Sequence, residues 1–382
     1  MLSSFELARY SRHLTLPRFQ LEGQQKLKAA KVLVVGAGGL GAPLLSYLVA
    51  AGVGTIGLVD FDTIDQSNLQ RQVLFTEDDV GLSKVEVAAA RLRRQNPYIT
   101  LRTYNTSLTA DNALEIIRDY DIVADGTDNF PTRYLVNDAC VLLDKVNVYA
   151  SIFRFEGQVA VFNYVDAQGR RGPNYRDLFP EPPPPGLVPS CAEGGVLGVL
   201  PGIVGSLQAN EVIKVASGVG ETLSGRLFLL DALTLETRTL KVRRNPTNPL
   251  NGDHPTQTAL IDYEQFCGIA VQERLPEVKK ISVQELHRRQ QAQERLQLID
   301  VREPYEYEIA NLGGELMPLA QIDQWADQLA VDCPVVVHCR SGARSEKAVR
   351  TLEEKHGRDN LYSLTGGILA WAEAIDKSLP KY

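Results

Sequence analysis

The chain has 382 residues, of which 44% are hydrophobic and 23% charged, and its formal net charge is -7. This length and composition indicate a globular protein of about two to three domains, and the absence of a long basic run argues against a dedicated nucleic-acid-binding protein. No stretch approaches the roughly 18 uninterrupted apolar residues of a membrane-spanning helix, and the N-terminal residues lack the apolar core of a signal peptide. We therefore expect a cytoplasmic protein with no membrane or nucleic-acid partner.

The cysteines are odd in number and form no C-x-x-C pair; they are Cys140, Cys191, Cys267, Cys333 and Cys339. Such a scattered set is typical of a reducing compartment. We expect free thiols and no structural disulfides.

Residues 1–30 have a polar, helical pattern, with Arg9 and Arg12 three positions apart and therefore on one helix face. Taken alone, this pattern indicates a solvated surface. The next unit is more specific. A β-branched run, Val32 to Val35, ends in a glycine turn, and apolar residues then recur at helical spacing up to Gly52.

Within that turn, Gly36, Gly38 and Gly41 fit the G-x-G-x-x-G pattern. Glycine lets the backbone turn tightly and approach a phosphate, and the unsatisfied N–H groups at the start of the helix attract an anion. The pattern predicts a nucleotide site. On its own it favours a nicotinamide dehydrogenase over other classes.

The residues after the second predicted strand, Thr55 to Val59, argue for a different nucleotide. They include polar and cationic side chains, namely Asp60, Asp62, Asn68, Arg71 and Lys84. An acidic residue at the end of this strand is positioned to bind a ribose hydroxyl. Because arginine and lysine suit a triphosphate better than a dinucleotide, we expect a nucleoside triphosphate.

The alternation of elements continues with a helix over 84–95, a strand over 99–104, a helix over 111–118 and a strand over 121–124. This pattern predicts an α/β fold with a Rossmann-like doubly wound sheet whose ligand lies beyond the carboxyl ends of the strands. Asp128 follows the last of these strands and is a candidate Mg²⁺ ligand, since Mg²⁺ with a nucleotide usually takes one or two protein carboxylates. Asp125 in the same segment is equally compatible with an Asx turn.

From Ser151 the pattern changes to further strands, so the sheet should be mixed. A proline-rich stretch, 181–186, predicts an exposed crossover segment, and Cys191 follows it closely. A cysteine beside several glycines could reach a reacting centre, and it could equally be a small buried residue. The sequence leaves both interpretations open.

Residues 246–275 are rich in proline and lack hydrophobic periodicity, which predicts a linker; residues 276–382 again alternate between strands and helices. In this second unit the strand that ends at His338 leads directly into Cys339 and a helix. A cysteine between a strand and a helix lies in a cup of backbone N–H groups that can stabilise a thiolate, a bound anion or a persulfide. The loop from Cys339 to Arg344 is one residue shorter than in cysteine-dependent phosphatases, so it is better sized for a sulfur atom than for a phosphate.

Several motifs in the first part of the chain resemble the adenylyltransferases related to ubiquitin-activating enzyme, the group that serves molybdopterin and thiamine synthesis. These motifs are RYSR, GAGGLG, DFD, SNLQRQ, VGLSK, GTDN and SCAEGG. The last part resembles a single-domain rhodanese through LIDVREPYEYEIANLGG, HCRSGARS and GGILAW. We therefore expect an adenylyltransferase domain at 1–245, a linker at 246–275 and a smaller α/β rhodanese domain at 276–382. The fusion is similar to the enzymes that activate small ubiquitin-like sulfur carriers.

The resemblance implies that ATP and Mg²⁺ adenylate the C-terminal glycine of a carrier ending in Gly-Gly, and that sulfur then displaces AMP to leave a thiocarboxylate. The implied nucleotide-binding residues are Gly39, Asp60, Ser67, Asn68, Leu69, Gln70, Arg71, Lys84, Asp128 and Asn129. Within this set, Asp60 would bind the ribose and Asp128 the Mg²⁺ ion. The implied catalytic residues are Arg12, Arg71, Asp128, Cys191 and Cys339.

Two of these roles, those of Arg12 and Cys191, depend entirely on the resemblance. Arg12 matches an arginine that reaches the phosphates from the other subunit of a homodimer, which replaces the solvated-surface interpretation. Cys191 matches a cysteine proposed to bond transiently to the activated carrier. Cys339 would carry the persulfide inside a loop formed by Arg340, Ser341, Gly342, Ala343 and Arg344.

The chain departs from the family at one place. Relatives hold a structural zinc ion with two C-x-x-C pairs, but the corresponding residues here are Asn174, Asp177, Asn248 and Asn251. Amide oxygens are poor zinc ligands beside thiolate or imidazole. We therefore predict that no zinc is bound and that hydrogen bonds among these side chains tie the two loops together.

Two other functions stay open at this point. One is a nicotinamide oxidoreductase with a regulatory rhodanese-like module, and the other is a scaffold that docks a ubiquitin-like protein without catalysis. The pathway is open too: molybdopterin synthesis, thiamine synthesis, tRNA thiolation and thiocarboxylate-dependent cysteine synthesis all fit. The sulfur donor could be a cysteine desulfurase or thiosulfate.

Overall fold

The computed structural model describes residues 1–184, 195–268 and 278–381. The chain divides into two compact units, Met1–Val271 and Gln272–Tyr382. Cys191 lies outside the described residues. None of the described helices is both long and apolar enough to cross a membrane.

The first unit is built on an eight-stranded mixed sheet of order β3-β2-β1-β4-β5-β6-β7-β8. Its strands are β1 (Lys31–Val35), β2 (Thr55–Val59), β3 (Thr100–Tyr104), β4 (Ile122–Asp125), β5 (Val146–Phe153), β6 (Glu156–Phe162), β7 (Arg226–Asp231) and β8 (Thr237–Lys241). Neighbouring strands from β3 to β5 pair in parallel, and those from β5 to β8 pair antiparallel. The predicted Rossmann-like, doubly wound mixed sheet is confirmed.

Helices cover both faces of this sheet. They are α1 (Ser4–Arg9), α2 (Ser11–Leu14), α3 (Gln20–Ala29), α4 (Gly41–Ala51), α5 (Lys84–Gln95), α6 (Ala113–Arg118), α7 (Phe130–Leu142), α8 (Tyr175–Leu178), α9 (Leu200–Ser217) and α10 (Tyr263–Phe266). Short 3-10 turns lie at Gln66–Asn68 and Glu77–Asp79. Because central strands such as β1 and β2, each with four buried residues in its pattern, are apolar on both faces, they need helices on both sides to exclude water.

The register of the three central strands determines where the polar turns meet. Val35 at the end of β1 pairs with Val59 of β2 on one side and with Asp125 of β4 on the other. The strands therefore end level with one another. Gly36 follows β1 and its N–H donates to the Val59 carbonyl at 2.8 Å, while the Gly126 N–H donates to the Val35 carbonyl at 3.0 Å. The turns after β1, β2 and β4 consequently share one edge of the sheet.

The segment expected to be a linker, 246–275, differs from that expectation over its described part. Leu250, Tyr263 and Cys267 are buried, and the Tyr263 hydroxyl donates to Asp138 Oδ2 of α7 at 2.9 Å. This stretch packs on the first unit without long regular elements, since Asx turns and side-chain caps satisfy its backbone. Hydrophobic periodicity cannot detect such packing.

The second unit contains a five-stranded sheet of order β11-β10-β12-β13-β9, and all its pairings are parallel. Its strands are β9 (Lys280–Ile281), β10 (Gln297–Asp300), β11 (Glu315–Leu316), β12 (Val335–His338) and β13 (Leu361–Leu364). Its helices are α11 (Val283–Gln291), α12 (Pro304–Ile309), α13 (Ile322–Trp325), α14 (Ala343–His356) and α15 (Gly367–Ala374), with 3-10 turns at Leu319–Gln321 and Ala326–Gln328. This is the smaller α/β domain that the alternating pattern predicts.

Candidate active site

A cavity of about 360 Å³ opens at the carboxyl ends of β1, β2, β3 and β4. Many of the residues implied by the resemblance line it, namely Gly39, Asp60, Asn68, Arg71, Lys84, Asp128 and Asn129. They come from turns that are far apart in the sequence, and the level ends of the strands bring them together. This edge is where ligands bind in open α/β sheets.

Ser67, Leu69 and Gln70 belong to the same turn as Asn68, but they are not among the described residues that line the cavity. The Ser67 hydroxyl donates to Asp65 Oδ1 at 2.5 Å, Leu69 packs against the hydrophobic core, and Gln70 is exposed. These three residues contribute to the cavity only as parts of the turn that positions Asn68.

Arg12 also lies away from the cavity of its own chain. It is exposed on α2, and it too is not among the described residues that line the cavity. Within the described residues, Arg12 is therefore not brought together with the other implied residues that line the cavity.

The glycine turn is shaped by close backbone contacts. Gly36 has a φ of +94°, which favours glycine. A Cβ atom on Gly41 would lie 2.0 Å from the Gly36 carbonyl oxygen, so no other residue fits there without moving the turn. Gly41 is the first residue of α4, and the turn thus presents its backbone N–H groups toward the cavity at a helix start.

Asp60 links the end of β2 to the glycine turn. Its Oδ2 accepts a hydrogen bond from the Ala37 N–H at 2.7 Å, and its Oδ1 accepts one from the Asp62 N–H at 2.9 Å. Burial raises the pKa of Asp60, and these two hydrogen bonds oppose that change. The Asp60 carboxyl group also lines the cavity, where the hydroxyls of a diol could replace the backbone N–H groups as its hydrogen-bond donors.

Two cations face the same cavity from the β2 side. The Lys84 side chain is 7% exposed and its Nζ lies 2.8 Å from Asp62 Oδ2. Arg71 Nη1 donates to the Ser67 carbonyl at 3.0 Å. Both side chains are therefore held in place while they line the cavity.

Asp128 and Asn129 follow β4 and play different structural parts. The Asn129 Oδ1 accepts from the Thr132 N–H at 2.9 Å, so Asn129 is the N-cap of α7. Asp128 is exposed in the cavity wall, and its carboxylate fits the single-carboxylate Mg²⁺ site that nucleotides favour. Asp125 forms the Asx turn, since its Oδ1 accepts from the Thr127 N–H at 3.0 Å.

In the second unit the cysteine loop joins β12 to α14. The Cys339 side chain is 1% exposed, and its Sγ accepts a hydrogen bond from the Gly342 N–H at 3.1 Å. Gly342 has a φ of +107°, which turns its N–H back toward the sulfur. The start of α15 closes the loop from the other side, because the Ile368 N–H donates to the Cys339 carbonyl at 2.9 Å.

Charged and titratable side chains lie next to the Cys339 loop. Arg344 donates two hydrogen bonds to the Glu306 carboxylate, at 2.6 and 2.7 Å. Burial alone would raise the pKa of Glu306, but the hydrogen bonds from Arg344 lower it overall. His338, which precedes the cysteine, is fully buried with Nε2 3.7 Å from Asp300 Oδ2, and burial lowers its pKa from 6.5 to about 4.

The comparisons with known families agree with both units. The sequence model of the ThiF family matches residues 10–250, and that of the rhodanese-like domain matches residues 282–374. The chain belongs to the ThiF family. Its second unit is a rhodanese-like domain.

Curated relatives of this ThiF-family chain extend over its whole length. It is 47% identical over 386 residues to the probable adenylyltransferase/sulfurtransferase MoeZ of Mycobacterium tuberculosis, covering 100% of this chain and 96% of the relative. It is 44% identical over 411 residues to the adenylyltransferase and sulfurtransferase MOCS3 of Mus musculus, covering 100% and 88%. The sulfur carrier protein adenylyltransferase of Thermus thermophilus is 58% identical over 264 residues, covering 69% of this chain and 97% of the relative.

Among solved structures, the E. coli protein MccB crystallised with ATP is similar to the ThiF-family unit. The similarity has a TM-score of 0.56 at 25% identity, and it covers 65% of this chain and 75% of MccB. It supports the fold of the first unit.

The ThiF-family domain carries a polar cluster where the resemblance implies a zinc ion. Asn248 Nδ2 donates to Asp177 Oδ1 at 2.7 Å and to Asn174 Oδ1 at 3.2 Å, and Asn174 Nδ2 donates to Asn251 Oδ1 at 3.0 Å. The structure thus contains the predicted hydrogen bonds between the two loops. The donor amides point at carboxylate and amide oxygens, so these atoms are already engaged with one another and do not fit a tetrahedral zinc site.

Two residues that the sequence analysis did not single out also line the ThiF-family cavity. Gln72 is 3% exposed, and its Oε1 has no hydrogen-bond partner among the described residues. Arg133, in the first turn of α7, is 8% exposed. Gln72 ends the motif SNLQRQ, so that motif is the signal that could have found it. Arg133 has no comparable signal, because an arginine on a helix is an ordinary surface residue until the strands bring it to the cavity.

Proposed function

We propose that this chain is an ATP-dependent adenylyltransferase and sulfurtransferase that activates the C-terminal glycine of a ubiquitin-like sulfur carrier protein ending in Gly-Gly. The observation that carries the proposal is the meeting of Asp60, Arg71, Lys84 and Asp128 with a glycine turn in one cavity, in a chain that also has the Cys339 loop. The names of the relatives MoeZ and MOCS3 describe the same pair of activities.

In this proposal ATP lies along the carboxyl ends of the strands. The Asp60 carboxylate binds the ribose hydroxyls at the end of β2, and the N–H groups of the glycine turn bind the phosphates. Arg71 and Lys84 lie on the same wall and offset the negative charge that grows on the phosphates during attack.

Asp128 is the residue that would hold Mg²⁺. It is exposed in the cavity wall, next to the N-cap residue Asn129. When bound, the ion would neutralise phosphate charge and orient the pyrophosphate leaving group.

In the adenylation step two anions, the carrier's carboxylate and ATP, react with each other and pyrophosphate is released. A carboxylate oxygen of the carrier's C-terminal glycine attacks the α-phosphorus of ATP, the bond to the β-phosphate oxygen breaks, and pyrophosphate leaves with the electron pair. The product is an acyl adenylate. The side chains of the cavity bind and orient both substrates and exclude water, which would otherwise hydrolyse the mixed anhydride.

The sulfur step uses the rhodanese-like domain. The Cys339 thiolate attacks the sulfane sulfur of a donor, either a cysteine desulfurase persulfide or thiosulfate, and the donor's thiolate or sulfite leaves. The Gly342 N–H donates a hydrogen bond to the Cys339 Sγ. The terminal sulfur attacks the acyl carbon and AMP leaves, which forms an acyl disulfide. A thiol then attacks the Cys339 sulfur, takes it as a disulfide and releases the thiocarboxylate.

The roles of Cys191 and Arg12 remain proposals based on the family. Cys191 would supply a transient covalent bond to the activated carrier. Arg12, which is exposed on α2, would reach the phosphates of the other subunit in a homodimer. Mixed dimers test the second role: Arg12→Ala and Asp128→Ala subunits, each inactive alone, should regain about a quarter of wild-type exchange when equal amounts are mixed, by random pairing.

Pyrophosphate exchange tests the proposed function directly. Labelled pyrophosphate should enter ATP in the presence of one carrier protein ending in Gly-Gly, and Asp128→Ala should abolish this exchange. The carrier that supports exchange identifies the pathway among molybdopterin, thiamine, tRNA and cysteine synthesis. No exchange with any carrier, despite tight ATP binding, would favour a docking scaffold instead.

A further inference from the structure

Arg133 differs from the other buried cations of this protein. Four lysine and arginine side chains are buried in the described ranges, and three of them pair with a carboxylate: Lys84 with Asp62 at 2.8 Å, Arg176 with Asp138 at 2.7 Å, and Arg302 with Asp300 at 2.5 Å. For Arg133, by contrast, no carboxylate oxygen of the described residues lies within 4.0 Å. It is therefore a buried cation without an ion-pair partner in this part of the chain.

Uncharged groups hold the Arg133 guanidinium in place. Its Nη2 donates to the Thr127 carbonyl at 3.2 Å, and the group lies over the rings of Phe130 and Tyr149 at 5.5 and 5.9 Å from their centroids. Its Nε is buried and has no hydrogen-bond partner among the described residues. The aromatic rings fix the plane of the guanidinium group. They accept no hydrogen bond from the buried Nε–H, which therefore has no acceptor among the described residues.

A buried guanidinium without an anion is unfavourable, because the loss of hydration is not compensated. Burial alone would lower the pKa of Arg133, yet Tyr149, Tyr175, Asp125 and Asp128 together outweigh that effect and raise it, so the group stays charged. Asp125 is no substitute for a counter-ion: it lies beyond ion-pair distance, and its Oδ1 is engaged by Thr127. The missing negative charge is best supplied by a ligand in the cavity that Arg133 lines.

The position of Arg133 indicates which ligand group this is. In the sheet order, β2 and β4 lie on opposite sides of β1, so Asp60 and Arg133 lie on opposite sides of the glycine turn. A nucleotide with its ribose at Asp60 and its phosphates at the turn leaves the side of β4 and β5 for the acceptor. In-line attack requires the acceptor to approach the α-phosphate from the side away from the leaving group.

We propose that Arg133 binds the terminal carboxylate of the carrier protein and holds it against the α-phosphate, an inference that rests on the proposed function. The planar guanidinium can donate two parallel hydrogen bonds to a carboxylate, which fixes the direction of the attacking oxygen. Its charge also offsets the repulsion between the carboxylate and the phosphate. Arg133 thereby selects a free C-terminal acid over any other end of a polypeptide.

A comparison of two forms of one carrier tests this role. The probes are the Gly-Gly carrier that supports pyrophosphate exchange and the same protein with a C-terminal glycinamide, each titrated into the full-length enzyme saturated with α,β-methylene ATP, which cannot form an adenylate. Wild type should bind the acid about 10- to 100-fold more tightly than the amide. Arg133→Gln should bind both forms equally, and its affinity for the ATP analogue should stay within about twofold of wild type.

Two further variants guard against misfolding and indirect effects. Arg133→Lys keeps the charge but loses the planar fork, so it should retain part of the preference for the acid. Arg118→Gln, at an exposed position on α6, should behave as wild type. A misfolded Arg133→Gln protein would fail to bind the ATP analogue, in which case Arg133→Lys decides.

Each remaining outcome contradicts the inference in a different way. If Arg133→Gln loses affinity for the ATP analogue while the acid preference persists, Arg133 is a phosphate ligand. If neither affinity changes, Arg133 is a structural residue. In both cases wild-type exchange leaves the proposed function intact, whereas absence of exchange in wild type would overturn the proposed function and this inference together.

Discussion

Arg344 and Glu306 connect the cysteine loop to α12 through two parallel hydrogen bonds of 2.6 and 2.7 Å. Glu306 is 5% exposed and the Arg344 side chain 26%, so this ion pair is partly shielded from water and holds the start of α14. Through this pair, Arg344 fixes the position of the backbone N–H groups around Cys339. It is a positioning residue for the sulfur.

Removal of the Glu306 carboxylate should therefore slow sulfur transfer, although the Cys339 sulfur itself is unchanged. We expect Glu306→Gln to destabilise the rhodanese-like domain by about 2 to 4 kcal/mol, because it leaves a partly buried guanidinium without its anion. Sulfur transfer from thiosulfate to cyanide should fall about 10- to 100-fold. Both tryptophans of the chain, Trp325 and Trp371, lie in this domain and are buried, so tryptophan fluorescence during urea unfolding reports on it alone.

The matched control is Glu346→Gln, on α14 two residues after Arg344, where the carboxylate pairs with Lys280 near the surface at 2.9 Å. Its loss should change stability by less than about 1 kcal/mol. Equal effects of the two substitutions would contradict the positioning role of Glu306.

The two activities should separate cleanly by substitution. Cys339→Ser keeps the shape of the loop but replaces the nucleophilic sulfur, so we expect sulfur transfer to fall by more than about 100-fold. Carrier-dependent pyrophosphate exchange should stay at the wild-type level, because the adenylation cavity lies in the other unit. A parallel loss of exchange would mean that Cys339 takes part in adenylation.

The asparagine cluster should stabilise the first unit without a metal. Asn248 is 1% exposed, and Asn248→Leu removes donors to Asp177 and Asn174, so the first unit should lose about 2 to 4 kcal/mol. Hydrogen exchange of the segment 174–179 reports the loss locally. Thr247→Ala, at an exposed neighbouring position, should leave that exchange unchanged.

The same cluster allows a direct test of the zinc prediction. Neither excess zinc nor a chelator should shift the melting temperature of the wild-type chain, because amide donors and oxygens that bond to one another form no tetrahedral site. A strong rise in melting temperature on addition of zinc would show that a metal is bound after all.

The buried histidine beside Cys339 should make the rhodanese-like domain sensitive to acid. Burial lowers the pKa of His338 from 6.5 to about 4, so the unfolded chain takes up a proton at a higher pH than the folded one. The stability that His338 contributes is thus complete above pH 6.5 and is lost as the pH falls toward 4. The loss amounts to about 3 kcal/mol.

Urea unfolding followed by tryptophan fluorescence between pH 7.5 and 4 measures this effect, with the pH range set by that shift. Other carboxylates titrate nearby, so the informative quantity is the difference between wild type and His338→Asn, which should shrink as the pH falls. His356→Asn, at an exposed position, is the control and should follow wild type. Parallel curves for wild type and His338→Asn would contradict a neutral buried histidine.

The sequence by itself determined the alternating architecture and the identity of both chemistries. Local patterns sufficed for elements such as Thr55–Val59, Lys84–Gln95 and Val283–Gln291, whose predicted and observed bounds coincide. The glycine turn and the Cys339 loop could be predicted equally well, since each depends on residues adjacent in the chain. Periodicity and turn chemistry are local properties, so they can be identified directly in a sequence.

Only the tertiary structure decided which side chains meet. It placed Arg133 in the cavity wall with no carboxylate of the described residues at ion-pair distance, joined Arg344 to Glu306, and packed most of the proline-rich stretch after residue 245 onto the first unit. It also left Ser67, Leu69 and Gln70 outside the cavity lining. These outcomes depend on strand register and on which charges lose their water, and both arise from contacts between residues that are distant in the chain.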